Sequence, residues 1–169
     1  LHSFPTRRSS DLLRYEIKLA RSLTDGIIGI NIMVAASDFK GIVTTAIDAG
    51  IDLIVAGAGF SRDIFGYGKE SVTPIVPIVS SVKLAKISEK LGATAIIVEG
   101  KEAGGHLGTD VSVRNLIPDI AKAVKIPVIA KMTPNVANMS PMAEVAIQAG
   151  ADGLAAINTI KSVILDDNM

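Results

Sequence analysis

The chain has 169 residues, and its seventeen basic and seventeen acidic side chains give a formal net charge of zero. The lack of a basic surplus argues against a nucleic-acid partner, and the absence of cysteine excludes disulfides and thiolate metal ligands. Hydrophobic residues make up 49% of the sequence and aromatic residues only 4%, a composition typical of buried parallel strands and their covering helices. No apolar run is long enough to cross a bilayer, and we expect a cytoplasmic protein.

The first twelve residues, LHSFPTRRSSDL, have no hydrophobic periodicity and no relation to the sequence that follows. They match the translation of a sequencing-adapter oligonucleotide, so we predict that residues 1–12 are a non-native, disordered tail. A basic arm or a targeting peptide is the alternative. The folded domain is then expected to cover residues 13–169, and the natural protein to begin upstream of Leu13.

From Leu13 onward, helical and extended patterns alternate along the chain. Helices are predicted at 13–23, around 42–47, and at 82–91, 113–124 and 141–149; strands are predicted at 27–33, 53–57, 75–79, 95–98, 127–131 and 153–157. The stretches AIDAGIDLIVAG, ISEKLGATAIIVEG and AIQAGADGLAAIN each repeat the order helix, glycine, strand. Repeated βα units predict a parallel sheet. A doubly wound sheet would usually carry a GxGxxG turn after its first strand, and its absence favours a partial TIM barrel of the (β/α)8 class with about six parallel strands.

In such a barrel the chemistry lies at the C-terminal ends of the strands. The most distinctive stretch there is EGKEAGGHLG at 99–108, in which Gly104, Gly105 and Gly108 allow the backbone to approach a flat or anionic ligand closely. His106 lies among these glycines and could act as a general base or a hydrogen-bond donor. The alternative is a surface histidine in a flexible loop. A single histidine without a second histidine or a cysteine makes a transition-metal site unexpected.

Other strand ends carry weaker candidates. Asn31 interrupts an apolar strand, where its amide contacts either a ligand or internal partners. Lys131 ends a strand. Its ammonium lies either near a phosphate or flavin ring of a ligand or in solvent at the edge of the barrel. At a third strand end, Gly57-Ala58-Gly59 would allow a ligand to approach the backbone closely. Ser80-Ser81 is interpreted as the N-cap of the next helix rather than as a nucleophile.

Residues 27–130 resemble the nitronate monooxygenase (2-nitropropane dioxygenase) family and the related enoyl-acyl-carrier-protein reductase II. The matching stretches are GINIM at 29–33, AGAG at 56–59, PIVPIVSSVKLAK at 74–86 and EGKEAGGHLG at 99–108. The resemblance implies an FMN-binding TIM barrel that is incomplete here at its N-terminus. It also implies His106 as the catalytic residue and Asn31, Glu99, Gly104 and Gly105 as residues that contact FMN.

Residues 131–162 resemble instead the dihydroorotate and dihydropyrimidine dehydrogenase barrel. There the lysine of a KxTPN motif contacts FMN, and KMTPN at 131–135 supplies Lys131 as a fifth candidate cofactor residue. The glycine turns that hold the FMN phosphate in the nitronate monooxygenase family have no match in this stretch. The join at Ala130–Lys131 is therefore either a natural variant or the seam of a chimeric reading frame.

The resemblance implies an FMN-dependent oxidoreductase that oxidises alkyl nitronates, with a small carbon acid and O2 as its partners. Three alternatives remain. One is an NAD(P)H-dependent enoyl-ACP reductase II, and another is a dihydroorotate dehydrogenase-like flavin enzyme. The third, from a different class, is a non-catalytic open-barrel fragment with unpaired edge strands.

Overall fold

A computed structural model of the chain describes residues 9–102, 109–134 and 136–157. Within these ranges six helices alternate with six strands. The helices are α1 Ser9–Leu23, α2 Phe39–Asp48, α3 Asp63–Ser71, α4 Val82–Leu91, α5 Val113–Ala123 and α6 Ser140–Gln148. The strands are β1 Gly29–Met33, β2 Leu53–Gly57, β3 Ile75–Val79, β4 Ile96–Val98, β5 Val128–Lys131 and β6 Gly153–Ala155.

The chain divides into two compact units, Leu1–Ile78 with Lys90–Thr94 and Val79–Glu89 with Ala95–Met169. In the first unit β2 pairs with β1 and with β3, and both pairings are parallel. In the second unit β5 pairs in parallel with β4 and with β6. Parallel strands that alternate with helices confirm the predicted α/β class, a partial (β/α)8 barrel.

Aliphatic side chains of the strands form much of the cores of the two units. In the first unit the buried strand residues include Ile32 and Ile54, and α2 adds Val43. In the second unit Val98 and Ala130 are buried in the same way, and α5 packs on both of their strands. Successive strand residues point to opposite faces, so the residues between these positions face away from the covering helices.

The three repeated stretches of the sequence have the same local structure. After α2, α4 and α6 comes a glycine with positive φ, at 79° for Gly50, 100° for Gly92 and 103° for Gly150. A left-handed residue at this position ends a helix, and glycine adopts it without steric cost. The residue after each glycine is buried. The repeat is therefore one structural unit, in which the chain leaves a helix, places an apolar residue in the core and enters a strand.

Two helices differ from the prediction. Helix α1 begins at Ser9, so the last four residues of the predicted tail are helical, and residues 1–8 lie outside the described ranges. Helix α3 was not predicted at all, because Gly66 and Gly68 weaken its helical pattern. Gly68 is buried, and a Cβ there would overlap Ile75 of β3. Gly68 thus lowers the helix propensity of α3, but it allows the helix to pack closely on β3.

Candidate active site

The ends of β4 and β5 in the second unit bring together two of the predicted cofactor residues. Glu99 directly follows β4, and its amide donates to the carbonyl of Val79 (3.0 Å). Lys131 is the last residue of β5. The strands pair Ile97 with Ile129, so the next residues on the same face, two positions later, are Glu99 and Lys131. The Lys131 ammonium Nζ lies 2.9 Å from Glu99 Oε1.

The Glu99–Lys131 pair is partly shielded from water, with 18% of the Glu99 side chain and 21% of the Lys131 side chain exposed. An ion pair at this depth is screened less than a fully exposed one. An ammonium has three N–H donors, so one carboxylate oxygen does not use up the donor capacity of Lys131. The pair as a whole has no net charge, and it holds the Lys131 ammonium in one orientation at the C-terminal ends of β4 and β5.

The segment after β4 is held at its base by hydrogen bonds from the N-terminus of α5. Ser112 Oγ donates to Glu102 Oε1 (2.5 Å), and the Val113 amide donates to Glu102 Oε2 (3.0 Å). The Lys101 amide donates to the Val111 carbonyl (2.9 Å). Ser112 is also the N-cap of α5, since its Oγ accepts from the Arg114 amide. The two ends of the intervening segment are thus fixed to each other.

These contacts also set the charge of Glu102. Partial burial raises the pKa of this carboxyl. The hydrogen bonds from the Ser112 hydroxyl and the Val113 amide lower the pKa, and together they outweigh the effect of burial, so the pKa of Glu102 lies below its usual value. Glu102 is therefore a carboxylate at neutral pH, and its negative charge lies at the positive end of the α5 dipole.

Glu102 and Lys131 also line one small pocket of about 20 Å³, which has room for about one water molecule. Its other lining residues are Val113, Met132, Thr133 and Met142. The pocket is too small for a flavin. Glu102, at the base of the segment, and Lys131, at the end of β5, thus border the same pocket.

The remaining candidates lie elsewhere or outside the described residues. Asn31 belongs to the first unit, pairs with Val55, and has an exposed side chain, so the reading of a buried amide with internal partners was wrong. Gly57 ends β2 and is followed by Ala58 with a φ of 51°. Ser81 is the predicted helix cap, because its Oγ accepts from the Leu84 amide (3.3 Å). Gly104, Gly105 and His106 lie outside the described residues.

Sequence reasoning gave no role to Glu102 or Ser112. A signal for Ser112 was available, since a serine directly before an amphipathic segment is a common N-cap. No local signal points to Glu102, because its partners come ten and eleven residues later in the chain. Within the described ranges, no helix has the length and apolar character needed to cross a membrane, and no group of three acidic or histidine side chains could hold a metal ion.

Solved structures of similar fold include FabK from Thermotoga maritima, an enoyl-ACP reductase II, with a TM-score of 0.80 and 32% identity. The match covers 90% of this chain and 48% of FabK. The nitroalkane oxidase of Streptomyces ansochromogenes, at a TM-score of 0.72 and 21% identity, covers 87% of this chain and 54% of the oxidase, and it shares the fold.

Among curated proteins, dihydroorotate dehydrogenase A (fumarate) of Limosilactobacillus reuteri is 32% identical over 118 residues. That match covers 69% of this chain and 35% of the dehydrogenase. The chain thus spans about half the length of FabK and about a third of the curated relatives it matches.

The sequence model of the nitronate monooxygenase family matches residues 36–132. This range is more than half of the chain, and it contains β2 to β5 together with Glu99, Glu102 and Lys131. It runs past the Ala130–Lys131 join, where the sequence begins to resemble another flavoprotein group. The chain belongs to the nitronate monooxygenase family.

Proposed function

We propose that this chain is the part of an FMN-dependent oxidoreductase that carries its catalytic histidine, His106, and that the enzyme oxidises alkyl nitronates with O2. The observation that carries the proposal is the family match over 36–132, which includes the whole EGKEAGGHLG stretch. The paired Glu99 and Lys131 at the ends of β4 and β5 support it, because catalytic groups of this barrel class lie at strand C-terminal ends.

The side chains present fit a flavin in their chemistry. Lys131 offers N–H donors and a positive charge, which suit the carbonyl-bearing ring or the phosphate of FMN. Glu99 orients the Lys131 ammonium through the 2.9 Å contact. We assign Gly104 and Gly105, which belong to the same unit as Lys131, to the same cofactor. FMN, when bound, supplies the electron transfer that no side chain of this composition performs.

His106 acts as the acid–base group in this proposal. A neutral imidazole can take the proton from the acidic carbon of a nitroalkane, which yields the alkyl nitronate and an imidazolium, and imidazole titrates close to neutral pH. Three glycines, Gly104, Gly105 and Gly108, neighbour His106 in the sequence, and glycine has no side chain that would block a ligand.

A second candidate is NAD(P)H-dependent reduction of an enoyl thioester. FabK favours it, because the 32% identity and the TM-score of 0.80 extend over 90% of this chain. The two candidates differ in which compound reduces the flavin, and they share the assignment of His106 and Lys131.

Reconstitution separates these candidates. The chain is incubated with FMN, freed of unbound flavin, and mixed without oxygen with an alkyl nitronate or with NADH. Bleaching of the flavin by nitronate alone supports the first candidate, and bleaching by NADH alone supports the second. A chain that retains no FMN is the non-catalytic fragment.

His106→Ala tests the catalytic assignment in the reconstituted chain. We expect FMN binding to be unchanged and turnover of the nitroalkane to fall by about 10²–10⁴-fold, the usual contribution of a general acid or base. His2→Ala is the matched control, since His2 is the other histidine and lies in the predicted tail. Undiminished turnover in His106→Ala would remove the catalytic role.

A further inference from the structure

An open cavity of the first unit lies at the N-terminal end of β3, and none of its lining residues takes part in the proposed catalysis. Its volume is about 560 Å³, within the range of about 300–1,000 Å³ that small-molecule sites occupy. The ends of two helices border it. Lys69 and Val72 lie at the end of α3, and Lys90 and Gly92 lie at the end of α4.

Two ammonium groups give this cavity a positive charge. Lys69 and Lys90 both line it, and both side chains are exposed. None of the described residues that line the cavity is acidic, and within the described part of the chain neither lysine forms an ion pair. Their acidic neighbours in the sequence, Glu70 and Glu89, do not line it, and the Glu89 carboxylate accepts from two backbone amides before β5. The cavity therefore favours a ligand with negative charge.

A lysine in the last turn of a helix also has a purely structural role, because its charge stabilises the helix dipole. Lys122 has this position in α5, where it is exposed and does not line the cavity. The helix dipole explains Lys69 and Lys90 one at a time. It does not explain why two such lysines, on different helices, border the same cavity.

The wall of the cavity next to these charges is apolar. Phe65 and Ile75 are buried beneath it, and Leu91 is half-buried. Val72 also lines the cavity, with a side chain that is 88% exposed and a left-handed backbone at φ 59°, which a glycine would adopt without strain. Strained residues of this kind are frequent at ligand sites. An apolar part of a ligand would bury the Val72 side chain.

The number of charges indicates the class of the anion. Two ammonium groups match the nearly two negative charges that a phosphate monoester has at neutral pH. Each ammonium offers three N–H donors, and Thr94 adds a hydroxyl to the lining. The apolar wall suits a short hydrocarbon group attached to the phosphate.

We propose that this cavity binds a small amphipathic phosphate monoester, whose phosphate contacts the ammonium groups of Lys69 and Lys90 and whose hydrocarbon part packs on Val72. The cavity shares no residue with the proposed flavin and substrate site. The proposal therefore goes beyond the proposed function and does not depend on it.

Titration of the isotope-labelled full chain with hexyl phosphate, followed by NMR, tests the proposal. We expect saturable shifts of the amide signals of Val72, Thr73, Gly92 and Thr94, with a Kd of about 0.1–5 mM for a ligand of this size. Inorganic phosphate lacks the apolar part and should bind at least about threefold more weakly. The proposal is overturned if these amides show no saturable shift, or if the two ligands bind equally well.

A membrane surface is the other source of such a phosphate, and vesicles that contain phosphatidic acid distinguish it. Sedimentation of the chain with these vesicles, without saturable shifts in hexyl phosphate, would assign the cavity to a lipid surface and overturn the proposal. Saturable shifts in hexyl phosphate without sedimentation support it.

Charge variants test the two lysines. Lys69→Gln and Lys90→Gln should each weaken the binding of hexyl phosphate about three- to tenfold, because each removes one charge-assisted contact. Lys122→Gln is the matched control, since it removes a lysine from the last turn of a helix outside the cavity. We expect its affinity to stay within about twofold of the parent chain. An equal loss in all three variants would show that only the net charge matters, and it would overturn the proposal.

Val72→Gly separates binding from stability. The variant relieves the left-handed strain, so we expect a more stable chain that nevertheless binds hexyl phosphate about two- to fivefold more weakly. Its affinity for inorganic phosphate should not change. Unaltered affinity for hexyl phosphate in a stabilised Val72→Gly would show that Val72 contacts no ligand, and it would overturn the assignment of the apolar wall.

Discussion

Val72 adopts a left-handed backbone conformation at the end of a helix, where the repeated units of this chain have a glycine. It ends α3 in the left-handed region at φ 59° and ψ 24°, and its side chain is 88% exposed. A β-branched residue is strained in this conformation, and no burial compensates the strain. At the other helix ends of the repeated unit the same task is performed by glycine, as at Gly50.

We expect Val72→Gly to raise the free energy of unfolding by about 1 kcal/mol, because relief of the left-handed strain exceeds the added entropy of a glycine in the unfolded chain. Urea denaturation followed by circular dichroism measures the change. Gly50→Val is the reverse control. Nothing lies within 4 Å of a Cβ at Gly50, so only backbone strain would act, and it should cost about 1–2 kcal/mol. A destabilised Val72→Gly would contradict this account.

At the scale of elements, the starts of two strands are fixed by an aspartate that follows the repeated glycine. The Asp52 amide donates to the Ile28 carbonyl (3.0 Å), and the Asp52 carboxylate accepts from the Ile28 amide (2.7 Å). Asp152 forms the same pair of bonds with Val128, at 2.7 and 2.8 Å. In the third copy Thr94 keeps the backbone bond to Ile75. The sequence repeat thus marks the point at which each strand is registered against its neighbour.

Asp52 gives this contact a pH dependence. The hydrogen bond from the Ile28 amide and the Arg21 guanidinium (2.6 Å) together hold the pKa of Asp52 below its usual value. A carboxyl whose pKa is lower in the folded state adds stability above its unfolded pKa, and this contribution is lost as the pH falls through the folded value. Asp52→Asn should therefore be less stable than the parent chain at pH 7, with a difference that shrinks below about pH 4.

Thermal or urea unfolding at several pH values measures this difference. Asp48→Asn is the matched control, since Asp48 also pairs with an arginine, Arg14, but at 3.5 Å and with both side chains largely exposed. We expect no measurable change there at any pH. A stability gap for Asp52→Asn that stays constant down to pH 3 would show that its charge does not contribute.

The elements that the sequence predicted well are those set by local pattern. All six strands lie within two residues of their predicted bounds, because β-branched runs between glycine and proline are a local signal. Helix α3 was missed because Gly66 and Gly68 weaken its helical pattern, and Gly68 is needed for the close contact with β3. The partnership of Glu99 with Lys131 could not be read from the sequence either. It depends on the register of β4 against β5, which joins residues 32 positions apart in the chain.

At the scale of the whole molecule, the join between the two resemblances falls inside one strand. Strand β5 runs through Ala130 and Lys131 without interruption, with Ala130 paired to Leu154 and Lys131 to Ala155. Ala130 is fully buried, and Lys131 lies on the opposite face. The alternation that a half-buried strand needs is thus kept across the join, so both stretches meet the same packing requirement.

The boundary of the folded domain is open to a direct test by deletion. Leu12 is 47% exposed, whereas Ile17, five residues further along α1, is only 6% exposed. We expect removal of residues 1–12 to change the free energy of unfolding by less than about 0.5 kcal/mol, since among the residues of this stretch that the structure describes no side chain is buried. Ile17→Ala in the full chain should cost about 2–4 kcal/mol, because it leaves a cavity in the first unit. Urea unfolding compares the two variants. A deletion as costly as Ile17→Ala would place residues 1–12 within the folded domain and move its boundary upstream of Leu13.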